Sequence, residues 1–366
     1  APLLYGNFNF DDGLFIGGGF LATTHGFRKT PYKAQHLFLA SHALLTESYN
    51  FKYDGRFTDV VGKFSLLIDA DLKAPNFINN FFGWGNETKF DREIDERPDL
   101  DLERPIDYYR IRTEELFTQL KLQHRLGSFG FWQMGLIYQR AEIDQPTRNN
   151  RFIAEFGATQ PEGFFENVKN FGGTVFAVGV DQVDNKVNPT RGIRALVQNR
   201  LMLGFDKDAA NFTATDFTVS FYQSFRKNSR TTFAWRVGGG VNTGTYDVYN
   251  AQILDGKTEM RGYRKTRFYG DSKIYSNFEA RIKIANFRSY LFPASFGIHG
   301  FYDTGRVWYK DANGRDTSVT DGKSEKWHQG IGAGLWLTPF GITVISTEFA
   351  HGGDGNLVYL RLGFLF

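Results

Sequence analysis

Apolar and polar residues alternate along several long segments of this chain, and this period of two constrains its fold more than any other feature. In the segment 273–285 one face carries the apolar residues Ile274, Phe278, Ala280, Ile282 and Ile284. Such segments run for about 10 to 14 residues, the length that a tilted strand needs to cross a bilayer, whereas soluble strands centre near about 5–6. The alternation therefore predicts membrane-spanning β-strands.

The composition excludes several other classes of protein. No run of about 18 apolar residues occurs, so helical membrane spans are not expected. The mean hydropathy is −0.38, yet the chain has 38 Phe and 17 Tyr, which suits a wall one side chain thick with one oily face. The net charge is only +3, and Lys and Arg form no long runs, so no nucleic-acid partner is expected.

The residue types that catalysis or metal binding would need do not occur in useful patterns. The chain has no Cys, its His residues lack metal-ligand spacing, and no Gly-x-Ser-x-Gly motif occurs. The glycine-rich runs 238–240 and 330–334 lie inside predicted strands, where they are expected to thin the wall and not to bind phosphate. We therefore expect no enzyme activity, no metal and no cofactor.

The alternating segments number sixteen, which predicts an all-β, antiparallel transmembrane barrel of about sixteen strands. Residues 1–12 are expected to form a pre-barrel segment, and residues 13–366 the closed barrel, since open sheet edges are not tolerated in lipid. The predicted strands are 13–26, 34–46, 48–59, 62–73, 76–84, 107–126, 129–142, 171–183, 189–204, 212–226, 230–242, 273–286, 294–309, 328–338, 340–350 and 355–366.

The loops alternate in length, which orients the predicted barrel. Short turns such as 127–128 are expected at the periplasmic end, and long polar loops outside. The short link after Val60 is an exception, because it falls on the outside. This pattern predicts a monomeric, integral outer-membrane barrel that contacts outer-membrane lipids and has both termini at the periplasmic end. The long loops are 85–106, 143–170, 243–272 and 310–327.

The segment Glu259-Met260-Arg261-Gly262-Tyr263-Arg264 resembles the tip of the inward-folded loop in the BamA/TamA-like outer-membrane superfamily. This superfamily includes two-partner-secretion transporters and the bacterial surface antigen barrels. The resemblance implies that the loop 243–272 enters the lumen and that acidic residues of the next two strands hold its Arg. The implied clamp consists of Arg261, Gly262, Tyr263, Glu279, Asp303 and Gly305.

Three further segments extend the resemblance over the whole barrel. Asn188–Gly192 is similar to a turn that opens a mid-barrel strand, Asp11–Leu14 to the opening of the first strand, and Leu337–Gly341 to the turn before the penultimate strand. Glycines weaken cross-strand packing, which predicts a lateral seam between the strands 13–26 and 355–366. The predicted seam residues are Gly17, Gly18, Gly19, Gly363, Phe364 and Phe366.

The resemblance implies an insertase or translocase that opens this seam and pairs its edge with an unfolded outer-membrane or secreted protein client. Family members carry POTRA modules or an enzyme domain ahead of the barrel, and only about a dozen residues precede the predicted one. A second hypothesis is therefore a barrel that anchors and exports a fused patatin-like or phosphoesterase-like passenger domain encoded ahead of Ala1. A third is a passive pore.

Overall fold

The computed structural model describes residues 2–9, 11, 13–144, 146, 150–158, 168–225, 230–288, 292–310 and 326–366. These residues form a closed, antiparallel barrel of sixteen strands, as predicted. The barrel strands are β1 Pro2–Asn9, β2 Gly13–Gly26, β3 Lys29–Ala43, β4 Ser48–Val61, β5 Phe64–Asn80, β6 Arg110–Leu126, β7 Gly130–Ile143, β8 Lys169–Val183, β9 Gly192–Gly204, β10 Phe212–Gln223, β11 Thr231–Gly244, β14 Ser272–Arg288, β15 Pro293–Trp308, β16 His328–Pro339, β17 Ile345–Gly352 and β18 Gly355–Leu362.

Strands that follow one another in the chain are neighbours in the wall, with one interruption. Between β11 and β14 lies the loop 245–271, which carries a two-stranded hairpin, β12 Gln252–Leu254 and β13 Phe268–Gly270. The helices are short, α1 Pro105–Tyr109 and α2 Phe152–Gly157. None of the described helices has the length and hydropathy to cross a bilayer.

The alternation read from the sequence describes the two faces of the wall. On β14, Phe278 and Ile282 are 43% and 39% exposed on the outside, whereas Asn277 and Glu279 are fully buried on the inside. Neighbouring side chains of a strand point to opposite faces, so each strand contributes both an oily outer surface and a polar inner one.

The prediction divided one strand into two and omitted another strand. These two errors cancel, so the predicted number of sixteen strands is still correct. The predicted segments 62–73 and 76–84 are one strand, β5, because the pairing with β6 shifts register between Lys73 and Phe77. This bulge accommodates Pro75, which has no N–H to donate. The missing strand is β1, in the segment that was expected to precede the barrel. β1 pairs with β2 over eight positions, from Pro2–Phe20 to Asn9–Gly13.

The corrected strands also change the direction of the first part of the wall. The turn 44–47 now lies at the same end as the long loops, and the link 62–63 lies at the end of the short turns. The exceptional short link after Val60 therefore disappears. We refer to the two ends of the barrel as the long-loop end and the short-turn end.

The long-loop end is covered by a folded cap. The stretch 91–105 is rich in charged residues, yet Ile94, Leu100 and Ile106 are buried with Phe82 and Tyr109. The apolar residues between the charges supply this small core. Trp84 of the cap stacks on Tyr309 with ring centroids 4.5 Å apart, so the cap is joined to the barrel rim.

Candidate functional site

The loop 245–271, which we call the lumen loop, is a packed part of the barrel interior. Its apolar residues are buried against the inner wall of β14 and β15. The cluster consists of Leu254, Met260, Tyr263 and Phe268 from the loop, with Tyr275 and Val307 from the wall. The predicted entry of the loop into the lumen agrees with this packing.

Arg261 lies at the centre of the contact between loop and wall, and its side chain is fully buried. Its Nε and Nη2 atoms donate to the two oxygens of Asp303, both at 2.8 Å. Its Nη1 atom donates to Glu279 at 2.6 Å and to Glu348 at 3.1 Å. The guanidinium also lies 3.5 Å from the centre of the Phe301 ring. A planar fork can satisfy several carboxylates at once, which a lysine cannot do.

The carboxylates around Arg261 are balanced by two further arginines. Arg281 donates to Glu279, and Arg361 donates to Glu348, each at 2.8 Å. Three guanidinium groups therefore face three carboxylates in a site that excludes water. Burial by itself would lower the pKa of Arg261, but Asp303, Glu348 and Glu279 outweigh it and hold this pKa well above its usual value, so the guanidinium stays charged.

The glycine and tyrosine beside Arg261 bring the loop into contact with the last two strands. Gly262 has a φ of +90° and its N–H donates to the Tyr359 hydroxyl at 3.1 Å. Tyr359 in turn donates to the carbonyl oxygen of Tyr263 at 2.9 Å. A Cβ atom at Gly305 would lie 3.1 Å from Leu254 of the loop. The structure therefore brings all six predicted clamp residues to one interface.

Glycines of the wall leave room for the backbone of the lumen loop. A Cβ atom added at Gly330 of β16 would lie 1.8 Å from the carbonyl oxygen of Arg261, and one at Gly352 would lie 2.4 Å from the carbonyl oxygen of Gly262. Gly330 belongs to the glycine-rich run 330–334, which was predicted to thin the wall. Its specific role is to admit the main chain of the lumen loop.

Three further residues of this site were not predicted from the sequence, namely Glu348, Tyr359 and Arg361. All three lie on the inner face of β17 or β18. On the last strand Val358 and Leu360 alternate with Tyr359 and Arg361. If the two apolar residues face outward, Tyr359 and Arg361 point inward. The alternation was therefore a signal for these two residues, whereas the resemblance implied acids only on the two strands after the loop.

Glu279, His299 and Glu348 each offer one ligand atom within 4.8 Å of the others. Distances of this kind suit a metal ion, but here Arg261 Nη1 donates to both Glu279 and Glu348. The donor set is therefore filled by a guanidinium.

The predicted seam was wrong in its first strand. Gly17, Gly18 and Gly19 of β2 pair with β1 on one side and with β3 on the other, because β1 lies between β2 and the last strand. The seam runs between β1 and β18. Within the described residues these two strands share a single register pair, Phe8 with Leu360.

The end of the chain differs from the prediction as well. β18 ends at Leu362, and Gly363 has a φ of +121°, so the chain leaves the wall and turns into the lumen. Phe364 lies 3.8 Å from the Arg281 guanidinium, and the main-chain oxygen of Phe366 accepts a hydrogen bond from Arg281 at 2.8 Å. Phe364 and Phe366 therefore do not belong to the oily outer face.

Comparison with protein families matches residues 66–352 to the Omp85 superfamily domain. No curated protein matches the sequence. The fold is similar to BamA from Haemophilus ducreyi lacking POTRA domains 1–3, with a TM-score of 0.66 and 12% identity, over 99% of this chain and 70% of that one.

The fold is also similar to two CdiB structures. CdiB from Acinetobacter baumannii gives a TM-score of 0.57 and 12% identity over 99% of this chain and 59% of that one. CdiB from Escherichia coli gives 0.58 and 12% over 98% of this chain and 61% of that one. The chain thus spans about three fifths of the length of either CdiB. These findings confirm the resemblance carried by the lumen-loop tip.

Proposed function

Because the chain belongs to the Omp85 superfamily, whose members are outer-membrane barrels that insert or secrete proteins, we propose that it handles unfolded protein clients at the seam between β1 and β18. The barrel is integral to the outer membrane, with its short-turn end and both ends of the chain on the periplasmic side. Lipids surround its oily outer face.

The observation that carries this proposal is the weakness of one junction in an otherwise fully paired wall. Within the described residues, β1 and β18 share one register pair, whereas β1 with β2 and β17 with β18 share eight each. Residues 363–366, which would continue β18 along β1, turn into the lumen instead. A strand edge of this kind can accept an incoming strand by β-augmentation, since main-chain hydrogen bonds need no particular sequence.

The interior supports a client-handling barrel over a passive pore. The lumen loop is seated on the inner wall by Arg261 and by a buried apolar cluster, and the cap covers the long-loop end. The lumen loop and the cap would both have to move before a wide, permanently open channel could form. The lateral seam is therefore the better route for a client.

A reversible disulfide across the seam tests the proposal. The 366-residue chain has no Cys, so Phe8→Cys with Leu360→Cys introduces the only thiol pair within it. Directly opposite antiparallel residues have Cα atoms about 4.5–5.5 Å apart, within disulfide range. With the full-length gene in its own host, we expect oxidation to reduce the folded outer-membrane or secreted proteins that depend on it, as measured by quantitative mass spectrometry, and reductant to restore them.

The matched control is Phe349→Cys with Val358→Cys, a directly opposite pair in the fully paired β17–β18 junction. This disulfide joins strands that stay together in the proposed mechanism, so it should leave client levels unchanged. A fall in the amount of folded outer-membrane proteins would indicate that the barrel inserts its clients. A fall in the amount of proteins released into the medium would indicate that it secretes them. Normal levels of both with the seam quantitatively cross-linked would refute the proposal.

A further inference from the structure

A short segment of the lumen loop contacts both sides of the seam at the long-loop end. On the β1 side, Asp11 lies in the turn between β1 and β2. Its Oδ1 atom accepts a hydrogen bond from Arg264 Nη1 at 2.7 Å, and its Oδ2 atom accepts one from the main-chain N–H of Lys265 at 2.8 Å. The loop thereby holds the end of β1.

The same segment holds the other side of the seam. Asp354 lies in the turn between β17 and β18, and its Oδ2 atom accepts a hydrogen bond from the main-chain N–H of Arg264 at 2.9 Å. Arg267 Nε lies 3.0 Å from both oxygens of Asp354. Arg264 therefore bonds to one carboxylate with its side chain and to the other with its backbone.

These contacts are shielded from water, which makes them stronger than ordinary surface ion pairs. Asp11, Asp354 and Arg267 are 4%, 7% and 4% exposed. Charge-assisted hydrogen bonds in such surroundings are among the strong ones, and losing one partner leaves a buried charge uncompensated. In comparison, the described residues of the two strands contribute the single register pair Phe8–Leu360.

We infer that Arg264, Lys265 and Arg267 form a latch that keeps the seam closed at its long-loop end. The strands on the two sides can separate there only if Asp11 or Asp354 leaves the loop. Because Arg264 follows Arg261 by three positions, withdrawal of the clamped tip also removes the latch. Seating of the loop and closure of the seam are thus one event. The role of this event in client handling rests on the proposed function, whereas the closure itself does not.

Distance measurements across the seam test the latch without any client. Nitroxide labels at Leu14→Cys and Leu335→Cys, both outward-facing, sit on β2 and β16 level with the pair Phe8–Leu360. They are four strand spacings, or about 19 Å, apart. Double electron–electron resonance on the full chain in lipid nanodiscs gives the populations of closed and opened seams. An opened seam should lengthen this distance by about 10 Å, the width of two strands.

The variant Asp11→Asn with Asp354→Asn removes both carboxylate charges with little change of shape. We expect the ratio of opened to closed molecules to rise about tenfold, since hydrogen bonds to charged groups are lost at both turns. Arg264→Gln, which leaves both carboxylates in place, should shift the ratio in the same direction and serves as a second test if the double variant does not fold.

The matched control is Asp69→Asn, which breaks the partly buried pair between Lys121 and Asp69, 2.7 Å apart, on two barrel strands outside the lumen loop and away from the seam. Its distance distribution should equal that of the unaltered protein. Unchanged distributions in both latch variants would overturn the inference, even if the disulfide lock stops client handling. Conversely, the latch variants could show a larger opened population while the seam disulfide leaves client levels unchanged. That result would support the latch and refute the proposed function.

Discussion

Replacing Arg261 with alanine is expected to lower the free energy of unfolding of the barrel by about 3–5 kcal/mol, because a buried ion pair that loses one partner leaves uncompensated charge. Three carboxylates, on Asp303, Glu279 and Glu348, contact this guanidinium. Arg281 and Arg361 can balance only two of them. The lumen loop should leave the wall, and the latch at Arg264 should be lost with it.

The measurement is the temperature at which the barrel loses its folded, heat-modifiable mobility on gels, together with the loss of β-sheet circular dichroism in detergent. Arg261→Lys should recover only part of the loss, since one ammonium group cannot reproduce the fork against Asp303 while reaching two glutamates. Arg200→Ala is the matched control, because Arg200 and Asp216 form a half-exposed pair, 28% and 32% exposed. Equal unfolding temperatures for Arg261→Ala and Arg200→Ala would contradict the clamp.

The second large effect is expected from adding a single methyl group to the wall. In Gly330→Ala the new Cβ atom would lie 1.8 Å from the carbonyl oxygen of Arg261, a distance that no side-chain rotation can relieve. Either the loop or β16 must move, and both responses separate Arg261 from its carboxylates. We expect destabilisation of about 1–3 kcal/mol, the usual cost of overpacking.

Limited trypsin digestion measures displacement of the loop directly, because cleavage after Arg261, Arg264 or Lys265 requires that the segment become accessible. Gly330→Ala should be cut there faster than the unaltered protein. Gly300→Ala is the control: Gly300 also lies in a barrel strand, and its added Cβ would meet only the Gly332 carbonyl oxygen at 3.9 Å. If both variants resisted trypsin as well as the unaltered protein does, Gly330 would not be needed to seat the loop.

The seam shows how a correct strand count can conceal a wrong strand order. β1 was overlooked because apolar residues are adjacent at Leu3-Leu4, where a regular alternation would separate them. The segments 62–73 and 76–84 were predicted as separate strands on either side of Pro75, although a bulge carries β5 through it. Both errors concern pairing between strands, which depends on hydrogen bonds to distant residues and leaves little trace in a local pattern.

The clamp shows the opposite case. The orientation of Glu279 and Asp303 follows from the alternation on their own strands, because successive side chains point to opposite faces whatever the strand pairs with. Closure into a barrel then directs these acids toward the lumen loop. Their side of the wall was therefore predictable, although their distances to Arg261 were not.

The resemblance of the loop tip implied the central arginine and two of its acids, whereas the amino-acid order alone determined the β-barrel class and the two faces of the wall. These properties depend on side-chain direction, which has a local period of two residues. The folded chain was needed to show that β1 borders the seam, that Glu348 completes the clamp and that Asp11 and Asp354 meet the same loop segment. Those properties depend on which distant residues barrel closure brings together, and no local period encodes that.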